Sequence, residues 1–336
     1  MSQGLSLGLV HEGRLAILGP VRVCLMIEGQ EGVTWDEWVA LGRATEESGL
    51  EGLFRSDHYA GLMGDETRGS LDAWTQIAAL GAITSRIRLG TLVSPITFRH
   101  PALLAKAVAT ADHVSGGRVE LGIGAGWNVR EHDAYGFRFP ELAERLERLE
   151  EQLELIVRQW TEDRVTHDGR HYRLEALDAR PKPVQRPRPP LIVGGAAKPR
   201  TARLAARFAD EYNTPFASLE QCRERRARIV EACAEVGRDP LVFSLMSGCV
   251  VATDRSEFRD RIRRLMERMR VKGDPDDFVR ERGGEMILGT VDEVVRRLQE
   301  LESVGVERVF LQHLAHDDLE MVRLLGAEVA PAVASG

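Results

Sequence analysis

The sequence predicts a (β/α)8 barrel, and three observations carry that expectation. Eight short apolar or β-branched runs alternate with eight helical stretches over 336 residues. Every connection between successive runs is long enough for a parallel crossover. Five of the segments that follow those runs hold glycines or polar groups that a plain turn does not need, and in such a barrel those segments meet at one mouth. A doubly wound open sheet is the alternative, but eight strands without a domain break would be unusual for it.

After a loose arm over 1–20, one barrel domain is expected over 21–330. The first strand, 21–27, leads to a helix capped by Thr34 that stops at Ser48-Gly49. The second strand, 52–56, ends in Asp57-His58-Tyr59, and a loop with Gly61, Gly64 and Gly69 leads to a helix over 71–84. The third strand, 87–93, is β-branched and is followed by His100-Pro101, a helix start where proline forfeits no hydrogen bond. That helix stops at Ser115-Gly116-Gly117, and the fourth strand is 119–123. A helix over about 140–160 then shows Leu142, Leu146, Leu149, Leu153, Ile156 and Val157 on one face.

Two insertions interrupt the rhythm. The first, about 161–190, reads as a hairpin around Asp168-Gly169 and then a proline-rich connector, Pro181-Lys182-Pro183 to Pro190. The fifth strand, 191–193, precedes Gly194-Gly195-Ala196-Ala197 and a helix from Pro199. The sixth strand is 210–213 with a helix over 218–236, and the seventh is 242–251. The second insertion, about 256–285, reads as a charged helix over 256–270 and a polar loop to Gly284. A helix over 290–305, the eighth strand at 308–311 and a last helix from Asp317 complete the chain.

Composition narrows the function. With 43% hydrophobic and 29% charged residues the chain has the balance of a globular protein. The net charge of −7, with no basic stripe interleaved with aromatics, argues against nucleic-acid binding. Cys24, Cys222, Cys233 and Cys249 show no Cys-x-x-Cys spacing, which favours buried reduced thiols over a disulfide framework or a zinc site. Residues 1–20 lack the pattern of a signal peptide, and no run approaches the roughly 20 apolar residues of a membrane span. A cytoplasmic protein without membrane contact is the expectation.

The candidate site residues sit in the five loops. His58 can serve as acid or base near neutral pH, with Asp57 orienting or charging it, although such a pair is otherwise a strand-end cap and a surface histidine. Thr91 to Ser94 end the third strand. Gly124-Ala125-Gly126 offers bare backbone to a planar ring, and Trp127 can stack on it or wall the pocket. Gly194-Gly195-Ala196 opens a helix with Lys198 and Arg200 beside it, an arrangement suited to a phosphate and also to a tight turn. Asn213-Thr214 is the fifth. His167 and His171 share no helical face because of Gly169, so no metal site is expected. Neither a Gly-x-Ser-x-Gly elbow nor a Walker loop is present, and Gly124-x-Gly126 lacks the third glycine of a dinucleotide fingerprint.

Together these residues resemble the luciferase-like monooxygenase superfamily, and within it the coenzyme F420-dependent oxidoreductases. The likeness runs through Arg55-Ser56-Asp57-His58, Leu89 to Pro95 with Arg99-His100-Pro101, Leu104-Ala105-Lys106, and Asp112-His113-Val114-Ser115-Gly116-Gly117-Arg118. It continues through Gly122 to Asn128 with Glu131-His132, Pro181 to Pro187, and Pro190 to Gly195, and so covers about 21–330.

The resemblance implies a barrel that is a homodimer and binds F420, or alternatively FMN, at its mouth. It implies a bulge with a non-prolyl cis peptide at Leu92-Val93 behind the ring, phosphate at Gly194-Gly195, and Asp57 and His58 near the reactive face. Should His58 not be the acid, Glu131 and His132 are the alternatives. An F420 enzyme would pass hydride to or from a small organic substrate. An FMN enzyme would use reduced flavin and oxygen as a monooxygenase, and a flavin-binding barrel without catalysis is a further alternative. Where the F420-dependent sugar-phosphate dehydrogenases carry a glutamate after the strand 4 glycines, this chain has Trp127.

Overall fold

The computed structural model describes residues 20–63 and 67–334. The expected arm over 1–20 falls almost wholly outside the described residues, as does Gly64. The elements run β1 (Arg22–Ile27), α1 (Trp35–Glu47), β2 (Gly52–Arg55), α2 (Ala73–Ile83), β3 (Arg88–Pro95), α3 (Pro101–Ser115) and β4 (Val119–Gly124). Then come α4 (Val129–Tyr135), α5 (Leu142–Thr161), the hairpin β5 (Val165–Asp168) and β6 (Arg173–Leu177), β7 (Leu191–Gly194), α6 (Pro199–Phe208) and β8 (Glu211–Pro215). The last part holds α7 (Leu219–Glu235), β9 (Val242–Ala252), α8 (Arg255–Arg268), α9 (Pro275–Arg282), β10 (Ile287–Thr290), α10 (Val291–Ser303), β11 (Arg308–Gln312) and α11 (Leu319–Leu324). A π turn, Leu325–Val329, joins α11 to α12 (Ala330–Ala334).

Eight of these strands close a parallel barrel in the order β1-β2-β3-β4-β7-β8-β9-β11 and back to β1. The (β/α)8 architecture is therefore the observed one, with insertions after the fourth and seventh barrel strands. The register is regular except between Thr91 and Ser94, where β3 gains one residue on β4.

Several local differences from the sequence expectation have plain causes. Residues 287–290 are strand β10, which pairs with the far half of β9. It escapes notice because Thr290 both ends β10 and caps α10, its hydroxyl and N–H bonded to Glu293. The polar loop before Gly284 contains α9, opened by Asp274 as cap and Pro275 in the first turn. The stretch after Trp127 holds the short helix α4. On α5 the buried stripe is Leu149, Leu153, Ile156 and Trp160, while Leu142 is exposed.

Side chains alternate along each strand, so one parity fills the barrel. The inner positions form three layers. At the N-terminal end Arg308 lies 2.7 Å from Glu120 and 3.0 Å from Glu211, with Cys24 and Glu51 also in reach. The middle layer is Met26, Phe54, Leu92, Ile192 and Phe310, with Phe54 and Phe310 edge to face at 4.9 Å. The third layer, at the C-terminal end, forms the mouth. All four cysteines are buried thiols, and among the described residues no helix is long and apolar enough to cross a membrane.

Candidate active site

Alternation along β2 and the residues after it decides which polar groups reach the mouth. Phe54, Ser56 and His58 share the inner parity, so Asp57 points the other way. Asp57 is fully buried outside the barrel wall, where Arg99 donates to both its oxygens at 2.5 and 3.2 Å and Ser94 donates at 2.5 Å. Asp57 therefore does not orient His58 by contact, although its charge still acts on the ring. Neighbours on an extended chain cannot both face inward.

The partner of His58 is Glu131, from the first turn of α4, with Nδ1 and Oε2 2.7 Å apart. Glu131 also accepts N–H bonds from Tyr59 and Ala60, which fastens α4 to the loop after β2. Burial opposes charge on the His58 ring. The hydrogen bond and charge of Glu131, with the fields of Glu28 and Asp57, outweigh it and raise His58 above the ordinary histidine value. Burial likewise pushes Glu131 up, but His58 and the two N–H donors hold it below the usual carboxylate range. No described residue bonds Nε2 of His58. The neighbouring His132 differs, since both its nitrogens are taken: Nδ1 donates to the Asn128 carbonyl at 2.6 Å and Nε2 meets the Thr97 hydroxyl at 2.6 Å.

The cis peptide at Leu92-Val93 is present. The bulge sends two consecutive side chains into the barrel, where Leu92 and Val93 join the middle layer. Two glycines make room for Val93: a Cβ on Gly124 would lie 2.8 Å from it and one on Gly194 would lie 3.0 Å from it, whereas at Gly122 a Cβ would first meet the Thr91 carbonyl oxygen. Thr91 and Ser94 are fully buried and hold the bulge: Thr91 donates to the Gly122 carbonyl, and Ser94 accepts from the Trp74 indole. Ala125 and Gly126 are half-buried at the rim, with Gly126 at φ 79°, while Trp127 is 65% exposed and its ring lies 5.8 Å from that of His58.

Gly194, Gly195 and Ala196 line the next stretch of rim, with Ala196 exposed. The Gly195 N–H donates to the Asn213 carbonyl and the Ala197 N–H to the Tyr212 hydroxyl. The donors left for an anion are therefore the Ala196 N–H and the first turn of α6, where Lys198 caps without a side-chain bond. Asn213 and Thr214 are buried and tied to Ser244 and Arg225. Glu131 and Arg99 were in the quoted motifs without their partners. Glu28 and Gln312, which face inward at the mouth, carry no sequence signal beyond their strand parity.

A closed barrel whose only strand irregularity lies at its C-terminal rim, beside a histidine held by a buried carboxylate, has the architecture of the enzymes that work at the mouth of such barrels. A family model described as luciferase-like monooxygenase matches residues 20–308, and the chain belongs to that family. Among its relatives is the F420-dependent glucose-6-phosphate dehydrogenase of Microbacterium testaceum, 28% identical over 88% of this chain and 93% of that one. A monooxygenase from Streptomyces bottropensis superposes with a TM-score of 0.80 at 25% identity, covering 93% of this chain and 99% of that one. An F420-dependent secondary alcohol dehydrogenase, solved with an F420-acetone adduct, shares the fold with a TM-score of 0.78 at 19% identity, over 94% and 99% of the two chains.

Proposed function

We propose that this protein is an oxidoreductase that passes hydride between coenzyme F420 and a small organic substrate, with His58 giving or taking the accompanying proton. The observation that carries this reading is the His58–Glu131 pair, which leaves Nε2 of an inward-facing histidine without a partner among the described residues at the mouth. A relative and a structural neighbour named for F420 support the choice of cofactor.

The residues present fit such a group. Val93, kept clear by Gly124 and Gly194, forms a shelf for a planar ring, Ala125 to Trp127 form its rim, and Ala196 with the first turn of α6 can take a phosphate beside Lys198 and Arg200. F420, when bound, supplies or accepts hydride at a ring carbon and reacts poorly with oxygen. The chain's own part is to hold and move the proton. Glu131 favours the charged form of His58, and Nε2–H is the donor offered to the substrate. Asp57 acts through Arg99 and Ser94 and positions the bulge. Trp127, standing where the sugar-phosphate dehydrogenases have an acidic residue, disfavours a sugar phosphate as substrate. We further propose a cytoplasmic homodimer, which sedimentation should show as about twice the chain mass.

The second reading is a flavin-dependent monooxygenase using FMN, and a structural neighbour at 25% identity that is named a monooxygenase keeps it in view. Titrating the purified protein separately with F420 and FMN, and following quenching of tryptophan fluorescence, decides between them. Saturable quenching by F420 with little response to FMN is expected; tight FMN binding without F420 binding would transfer the protein to the second reading.

A further inference from the structure

The apolar cluster that fills the middle of the barrel is closed to solvent except at two side chains, Val93 and Met246, which are half-buried. They stand on β3 and β9, which have three strands between them whichever way round the wall is followed. The mouth therefore reaches down between a valine on one side and a thioether directly across from it. A ring resting on Val93 would turn its free face toward β9.

Above Met246 the strand gives up its own inward place. Gly248 has the inner parity of Ser244 and Met246, and it pairs with Gln312, which also faces inward. A Cβ there would overlap the Met286 methyl and lie 3.4 Å from its sulfur. Met286 comes from the insertion before β10 and enters where β8 gives way. β8 stays with β9 as far as Met246, and β10 joins β9 at Cys249. The segment is fixed behind the side chain: Ser247 donates to the Glu285 carbonyl at 2.5 Å, and the Met286 N–H donates to the Arg282 carbonyl. The insertion thus fills the space over Gly248 with the flexible end of a methionine. The polar groups His58, Glu28 and Gln312 enter the mouth from β2, β1 and β11, whereas the β9 side presents two thioethers.

We propose that Met246 and Met286 form the substrate wall of the mouth, that the substrate carries an apolar body laid against their sulfurs, and that Met286 sets the size of body admitted. This rests on the reading that a cofactor ring lies on Val93. Methionine fits the role, because its unbranched, polarizable chain fills irregular gaps and adapts to what it meets. An apolar wall facing a few placed polar groups is the usual make-up of a small-molecule pocket. The reacting group of the substrate then faces His58 while its body faces β9. Gly248 belongs to the same device, since a side chain there would drive the Met286 methyl further into the mouth.

Calorimetric titration of the F420-loaded protein with cyclohexanone, and with tetrahydropyran-4-one, in which an ether oxygen replaces one ring methylene, tests the wall without turnover. Cyclohexanone should bind several-fold more tightly, as the burial of a methylene implies. Equal binding overturns the proposal, and this comparison needs no variant to fold. The bulkier 2-adamantanone reads the size limit. Met286→Ala should raise its affinity relative to cyclohexanone by at least about tenfold, because the added apolar surface then finds room. Gly248→Ala should weaken cyclohexanone several-fold, and Gly248→Ala/Met286→Ala should recover it, the coupling expected of groups in contact. The same relative affinities in all four chains overturn the proposal, as does a failure of every ketone to bind saturably to the parent chain and to Met286→Ala. F420 affinity should stay within a few-fold throughout. Its loss in Met286→Ala would give the wall to the cofactor and also overturn the proposal. Should the parent chain take FMN and not F420, the FMN-loaded protein is titrated in the same way. A size selection that moves with Met286 then leaves the wall standing while the hydride-transfer reading falls.

Discussion

The two ends of the barrel solve the same problem in opposite ways. Both bury carboxylates among inward-facing side chains. At the N-terminal end Arg308, 1% exposed, gathers Glu120 and Glu211, and its guanidinium also lies over Phe54 and Phe310 at 5.0 and 4.8 Å. Arg88 adds a second cation on Glu120 at 2.7 Å. Burial pushes Glu120 up, but the two arginines outweigh it and hold it below the carboxylate range; burial and the charge of Glu120 leave Glu211 raised. At the C-terminal end Glu131 meets a titratable histidine and Glu28 meets only amides. One end is closed by charge compensation and the other is left with bonding capacity. That difference marks which end is structural and which is chemical.

The comparison breaks most visibly at its structural end. Arg308→Met should destabilise the chain by about 3–5 kcal/mol, because Glu120 and Glu211 would remain buried together without their counter-charge. Denaturant unfolding measures this, and a loss within a few tenths would mean that Arg88 suffices. At the other end His58→Ala should leave the fold intact and lower turnover by about 10²–10⁴-fold, with cofactor affinity nearly unchanged. Full turnover, or loss of cofactor, would reassign His58 to positioning.

Gly194→Asp should weaken cofactor binding severely. Its Cβ would press on Val93, and its carboxylate would stand beside the phosphate donors. Affinity within a few-fold of the parent chain would remove this loop from the site.

The smallest effect sharpens the comparison most. His58 is raised, so its charged form, and the stability of its pair with Glu131, is complete below the ordinary histidine range and is lost as pH rises through the raised value. Glu131 is lowered, so its contribution is present above the ordinary carboxylate range and fades as pH falls. Glu131→Gln should therefore shift the alkaline fall of activity to lower pH. An unmoved profile would show that another group sets it.

The strand-helix rhythm, the hairpin and the cap at His100-Pro101 were legible because each rests on local chemistry. Thr290 hid β10 by serving two elements at once, and Asp274-Pro275 hid α9 inside a charged stretch. At the site, His58, Trp127 and the glycines could be named from sequence, whereas the pairings could not. Glu131 reaches His58 across 73 residues, and Arg99 reaches Asp57 across 42, so neither contact has a local mark. In the sequence Gly124 and Gly194 read as places where a ligand approaches the backbone. Their nearer reason is to accommodate Val93.

The extra residue that β3 gains on β4 between Thr91 and Ser94 acts as a phase change along the barrel wall. Below it the strand keeps time with its neighbours and packs an ordinary interior. Above it every side chain has exchanged faces, which turns Ser94 outward to Trp74 and Asp57. Taking out one residue at position 93 would put the strand back in step. The expected product is a well-folded barrel with its Arg308 layer untouched and no shelf, a scaffold from which the chemistry has been erased by a change of count.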